Sequence, residues 1–171
     1  MIKKLRFIPN LLTSANLFSG CLAVVFAFEE QLNIALGLVL LAAVFDFLDG
    51  YAARLLQATS SIGKELDSLA DLISFGMAPA VMLYVACIEI WIPEYVNFLR
   101  YIPFLLVVFS ALRLAKFNVD TRQDVDFLGI PTPANALFFI SLANLVYDNP
   151  YFQNQIVVSA LVMFFSLIMV S

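Results

Sequence analysis

The chain has 171 residues, 63% of them hydrophobic and 13% charged, and 13 acids against 9 bases leave a net charge of -4. Soluble domains average about 45–50% apolar residues, so this composition excludes an ordinary water-soluble globule and points to one all-α integral membrane domain. No basic patch with interleaved aromatics is present, which argues against nucleic-acid binding; the absence of histidine removes Ser-His-Asp, Cys-His and His-ligated metal chemistry.

Polar and proline breaks leave six candidate transmembrane helices, each near the ~20 residues a bilayer demands. Met1 to Phe7 is short and basic, but no convincing small-residue cleavage site follows, so the first apolar run reads as a retained helix over Pro9–Phe28. Glu29, Glu30 and Gln31 break it. The second helix is expected over Leu32–Leu56 and the third over Lys64–Ile90, closed by Pro93 and Glu94, with Trp91 and Tyr95 placed like interfacial anchors. The fourth covers Val96–Asn118, and a polar loop, Val119–Leu128, carries Asp120, Arg122, Asp124 and Asp126. The fifth runs over Pro131–Tyr147 and the sixth over Phe152–Val170. That last run stops at Ser171 without a polar tail, which raises the expectation of a longer natural chain. Cys21 and Cys87 fall in apolar segments without metal-ligand spacing and read as packing residues.

Short connections make neighbouring helices antiparallel. With the N-terminus inside, Lys3, Lys4, Arg6, Arg54, Lys64, Arg113, Lys116 and Arg122 lie inside and Arg100 alone outside. That bias predicts a cytoplasmic N-terminus and places the end of the second helix and the start of the third at the cytoplasmic face. No inverted repeat of the transporter kind is visible.

Those two helix ends carry the chemistry. Asp46, Asp49, Gly50 and Ala53 fall within a roughly 100° arc of the second helix, and Gly63, Asp67 and Asp71 recur every fourth residue on one face of the third. An aspartate at the centre of a spanning helix costs roughly 2.5–3.5 kcal/mol, so four would cost about 10 kcal/mol without compensation. Converging like charges need counter-ions. Oxygen-only ligands favour hard cations, Mg²⁺ or Mn²⁺, and two such ions would offset four carboxylates and suit phosphoryl transfer. Gly50 and Gly63 remove side chains where a nucleotide or a neighbouring helix must come close. Arg54 can offer a phosphate its charged fork. For Ala53, close helix packing is the competing reading.

The run from Asp46 to Asp71 resembles the pattern of the CDP-alcohol phosphotransferases, D-x-x-D-G-x-x-A-R-x8-G-x-x-x-D-x-x-x-D, at every fixed position. The resemblance implies a six-helix membrane enzyme, a homodimer, that moves a phosphatidyl or related group from a CDP-linked donor to an alcohol and releases CMP. It implies divalent metals held by Asp46, Asp49, Asp67 and Asp71, with Asp71 as the base that takes the alcohol's proton. A carboxylate in that role agrees with the lack of histidine. Pro9-Asn10-Leu11-Leu12-Thr13 looks like the family's first-helix entry, which implies Asn10 and Thr13 near the nucleotide; helix capping is the competing reading. The runs Ala111–Asn118 and Phe127–Ala134 resemble the phosphatidylserine synthase branch, implying CDP-diacylglycerol as donor and L-serine as acceptor. Asn135 departs from that branch, which tends to a small apolar residue there.

Arg113 and Lys116 fit the serine reading, because an amino-acid carboxylate needs a cation and arginine offers two parallel hydrogen bonds. Positive-inside anchoring to lipid headgroups is the alternative. A phosphorylated acceptor, such as glycerol 3-phosphate or inositol phosphate, would need a larger basic cluster than Arg113, Lys116 and Arg122 supply. A divalent-cation transporter would need acids spread along a path through the bilayer, and the later helices lack them.

Overall fold

A computed structural model describes residues 7–58, 60–88, 90, 94–119 and 130–170, with backbone alone for 94–96. All regular structure among these residues is helical: α1 (Ile8–Phe28), α2 (Leu32–Leu55), α3 (Ser61–Asp71), a π-helical turn (Leu72–Met77), α4 (Ala78–Ile88), a 3-10 segment (Glu94–Phe104), α5 (Leu105–Val119), α6 (Thr132–Asp148), a 3-10 turn (Pro150–Phe152) and α7 (Gln155–Val170). Among the described residues, four helices are long and apolar enough to cross a membrane: Ile8–Phe28, Leu32–Leu55, the continuous Ser61–Ile88, and Asn97–Val119. Of the six expected crossings the last two fall short of that length, with 17 residues in α6 and 16 in α7. Lys3, Lys4, Arg6, Trp91, the Tyr95 side chain and the acidic loop through Asp120, Arg122, Asp124 and Asp126 lie outside the described residues.

Boundaries follow local chemistry. Glu30 (φ 62°) ends α1 in the left-handed region, and the amides of Glu30 and Gln31 bond back to the carbonyls of Ala27 and Phe26 at 3.0 and 2.9 Å. Gln57 (φ 47°) closes α2 in the same manner, with Ala58 N–H reaching Ala53 O at 3.0 Å. These paired bonds satisfy the last carbonyls and turn the chain sharply, which lays α2 antiparallel on α1. Pro103 lies inside the 3-10 segment; lacking an N–H, it delays the α-helix expected from Val96 until Leu105. The Asn154 side chain accepts from the amides of Ile156 and Val157 at 3.1 and 3.2 Å. That cap starts α7 three residues later than the expected Phe152.

The Ser61–Ile88 span is the centre of the bundle. Ala78–Cys87 is buried almost all round, Tyr84 alone being partly exposed, as expected of a helix packed on every side. It lies against α1 and α6, while α5 packs on α7 and on the π turn. The outward faces of α1 and α2 present Phe18, Val25, Leu40, Leu41, Val44 and Phe47. An apolar surface of that kind suits lipid.

Gly20 fixes how closely α1 meets the π turn. A Cβ there would lie 2.8 Å from the Ser74 Cα, so the backbone would have to move. Gly20→Ala is expected to cost about 1–3 kcal/mol through overpacking, read as a lower thermal midpoint in detergent. An unchanged midpoint would show that the two helices separate freely.

Candidate active site

The N-terminal turns of α1, the C-terminal turns of α2 and the first turns of α3 meet at one end of the bundle around a cavity of about 500 Å³. Asn10, Thr13, Asp49, Gly50, Ala53, Gly63 and Asp67 line it, with Pro9, Ala58, Ser60, Ser61 and Lys64. The antiparallel hairpins produce this convergence directly, since each reverses the chain at a short connection. Ser60 caps α3 by accepting from Gly63 N–H at 3.0 Å. A Cβ on Gly63 would lie 3.0 Å from Ser60 Oγ and 3.1 Å from Asn10 Oδ1. Glycine at 63 therefore lets α1 and the α3 cap close over the cavity. Around Gly50 an added Cβ would meet nothing within 4 Å, so that glycine widens the open space.

Asp46, Asp49 and Asp67 each turn one carboxylate oxygen into a cluster whose atoms lie within 4.8 Å of one another. Asp49 is 5% exposed. Its Oδ2, and Oδ1 of Asp67, are buried and have no hydrogen-bond partner. Three convergent carboxylates, two of them with an unpaired buried oxygen, are a poor arrangement for apolar packing. They are a fitting donor set for a hard divalent cation.

Asp71, expected as a fourth ligand, stands outside that tight set, although its carboxyl meets that of Asp46. It is 9% exposed and closes α3 where the helix widens into the π turn, a local form often found at functional sites. Asn16 of α1 donates from Nδ2 to Asp71 Oδ1 at 3.3 Å. Arg113 comes within electrostatic range of Asp71 and donates from Nη1 to Thr132 Oγ1 at 2.6 Å, while its Nε is buried without a partner.

Two expected site residues lie away from this constellation. Arg54 is exposed and does not line the cavity. Lys116 is exposed and donates to the carbonyl of Val170 at the end of α7, 3.0 Å away. Sequence reasoning missed Lys64, which lines the cavity and donates to Asn118 O at 3.2 Å. It also missed Asn16 and Thr132. None of the three belongs to a recognisable motif, and the only signal was its position within one or two turns of residues already singled out.

The chain is 39% identical over 157 residues to a CDP-diacylglycerol–serine O-phosphatidyltransferase of Helicobacter pylori, covering 88% of this chain and 62% of that protein. It is 38% identical over 148 residues to the protein of that name from Mycobacterium tuberculosis, covering 82% and 50%. It is 40% identical over 132 residues to an archaetidylserine synthase of Methanothermobacter thermautotrophicus, covering 76% and 54%. The chain thus spans about half to three fifths of the length of these relatives. The profile of one family, CDP-alcohol phosphatidyltransferase, runs over residues 6–170 and takes in every element that builds the cavity. With the acidic cluster and its spacing already on that framework, the chain belongs to the CDP-alcohol phosphatidyltransferase family.

Proposed function

We propose that the protein transfers a phosphatidyl group from CDP-diacylglycerol to the hydroxyl of L-serine, giving phosphatidylserine and CMP. The observation that carries this reading is the convergence of the Asp46, Asp49 and Asp67 oxygens at a cavity large enough for a nucleotide. The names of the relatives support serine as acceptor.

Asp46, Asp49 and Asp67, with Asp71 beside them, would hold divalent metal, Mg²⁺ or Mn²⁺ and two ions by charge balance. Bound there, the cations would offset the donor's diphosphate charge and the charge that develops as CMP leaves. Asn10, Thr13, Gly50, Ala53 and Gly63 shape the nucleotide's room, and Arg54 contributes positive charge one residue beyond it. Asp71 takes the proton of serine's hydroxyl. The serine oxygen then bonds to the phosphorus that carries diacylglycerol, and the phosphorus–oxygen bond to CMP breaks. Arg113 holds the serine carboxylate through its unpaired Nε edge, while Thr132 fixes the other side of the guanidinium. Lys116 completes the basic end of α5. The lipid tails enter sideways between helices. The active form is a homodimer, and the N-terminus and the site face the cytoplasm.

The test is acceptor profiling with purified protein, CDP-diacylglycerol and Mn²⁺ or Mg²⁺. CMP release is expected with serine, and far less with glycerol 3-phosphate or inositol phosphate. Release with a phosphorylated acceptor alone would overturn serine as acceptor, and metal flux in proteoliposomes without CMP release would favour a transporter. In the same assay Arg113→Ala is expected to raise the KM for serine roughly tenfold or more, the loss of a charge-assisted hydrogen bond. An unchanged KM would remove Arg113 from the acceptor site.

A further inference from the structure

Asn16 is 0% exposed, yet it lies on a helix whose other inward-facing residues are mainly small: Ser19, Gly20, Ala23 and Ala27. Two contacts hold it. Its carbonyl accepts from Ser74 Oγ at 3.1 Å, clamping the α1 backbone to the π turn. Its amide donates to Asp71 Oδ1 at 3.3 Å, and only the amide nitrogen can donate to a carboxylate. The close approach at Gly20, one turn on, holds the two backbones at that separation. Asp71 is thus met by Asn16 on Oδ1 and by Asp46 at the same carboxyl.

The plane of an aspartate carboxylate is otherwise loosely defined, because rotation about its last bond is broad and two-fold. A proton acceptor works best when one oxygen is already aimed at the hydroxyl. We propose that Asn16 is a positioning residue for the reaction: its hydrogen bond to Oδ1 fixes the Asp71 carboxylate so that Oδ2 is presented to the acceptor alcohol. The inference rests on Asp71 being the base. It also gives the π turn a purpose, since Ser74 anchors the same asparagine by its backbone and leaves the side chain to the carboxylate.

A buried asparagine can serve merely as glue between membrane helices, and the experiment separates the two roles. Asn16→Ala and Asn16→Leu both remove the donor, and leucine keeps the volume. Each is expected to lower kcat for serine about 10–100-fold, with KM for either substrate little changed. Mn²⁺ affinity, read by electron paramagnetic resonance, is expected to stay at the wild-type value. If both Asn16 variants turn over at the wild-type rate, or if Mn²⁺ binding and the thermal midpoint fall together with kcat, the positioning role is overturned. Wild-type protein inert with every acceptor would overturn the functional reading along with it; an active wild type beside unaffected Asn16 variants overturns the positioning role alone.

Discussion

Asp71→Asn is expected to lower CMP release with serine about 10³-fold, in the range general-base removal produces. The substitution keeps the shape of a side chain that is 9% exposed and leaves intact the Asp46, Asp49 and Asp67 cluster, of which Asp71 is not a part. Binding of CDP-diacylglycerol, followed by its protection against thermal unfolding, should therefore persist. The amide can still meet Asn16 but can no longer accept the hydroxyl proton. Normal turnover in this variant would remove Asp71 from the base role, and loss of donor binding would show that its main contribution is to holding metal.

Asp49→Asn should have the opposite profile, because this residue serves binding before chemistry. Its Oδ2 is buried without a partner, and two further carboxylates crowd the same space. Without metal, removing one of these like charges relieves repulsion, so the metal-free variant is expected to melt at or above the wild-type temperature. With Mn²⁺ the order reverses: affinity should fall at least tenfold to a hundredfold, as even weaker perturbations of ligand sets do, and turnover should fall with it. Calorimetric scans with and without Mn²⁺ read both effects. A variant that binds Mn²⁺ as tightly as wild type would show that Asp49 is not a ligand.

The site was more legible in the sequence than the elements around it. Carboxylates every third or fourth residue on two consecutive helices can meet only if the connection is short, and Asp46, Asp49 and Asp67 bring their oxygens within 4.8 Å of one another, with Gly50, Ala53 and Gly63 around the adjoining cavity. What hydropathy does not encode is a change of helical pitch. The π turn after Asp71 carries one small polar residue, Ser74, with no charge and no proline, so Leu72–Met77 reads as plain helix. Its effect is to rotate Ser74 toward Asn16 and Gly20, a contact that arises from tertiary packing. The start of α7 differs for a simpler reason, since Asn154 follows the aromatic pair Tyr151 and Phe152, which extends the apolar run, and its capping role depends on side-chain direction. Arg54 and Lys116 illustrate the limit of register arguments: correct helix ends still left long side chains free to point elsewhere.

Phe47 and Leu48 lie on the outside of α2 between Asp46 and Asp49, so one helical turn meets hydrocarbon on one side and carboxylates on the other. A diacyl donor that arrives along that surface diffuses in two dimensions. Its encounter frequency then follows its mole fraction among the surrounding amphiphiles rather than its molarity in the tube. Extra detergent would slow such a protein by dilution within the film, with no damage to the fold, and kinetics compared at unequal micelle composition would report the mixture more than the molecule.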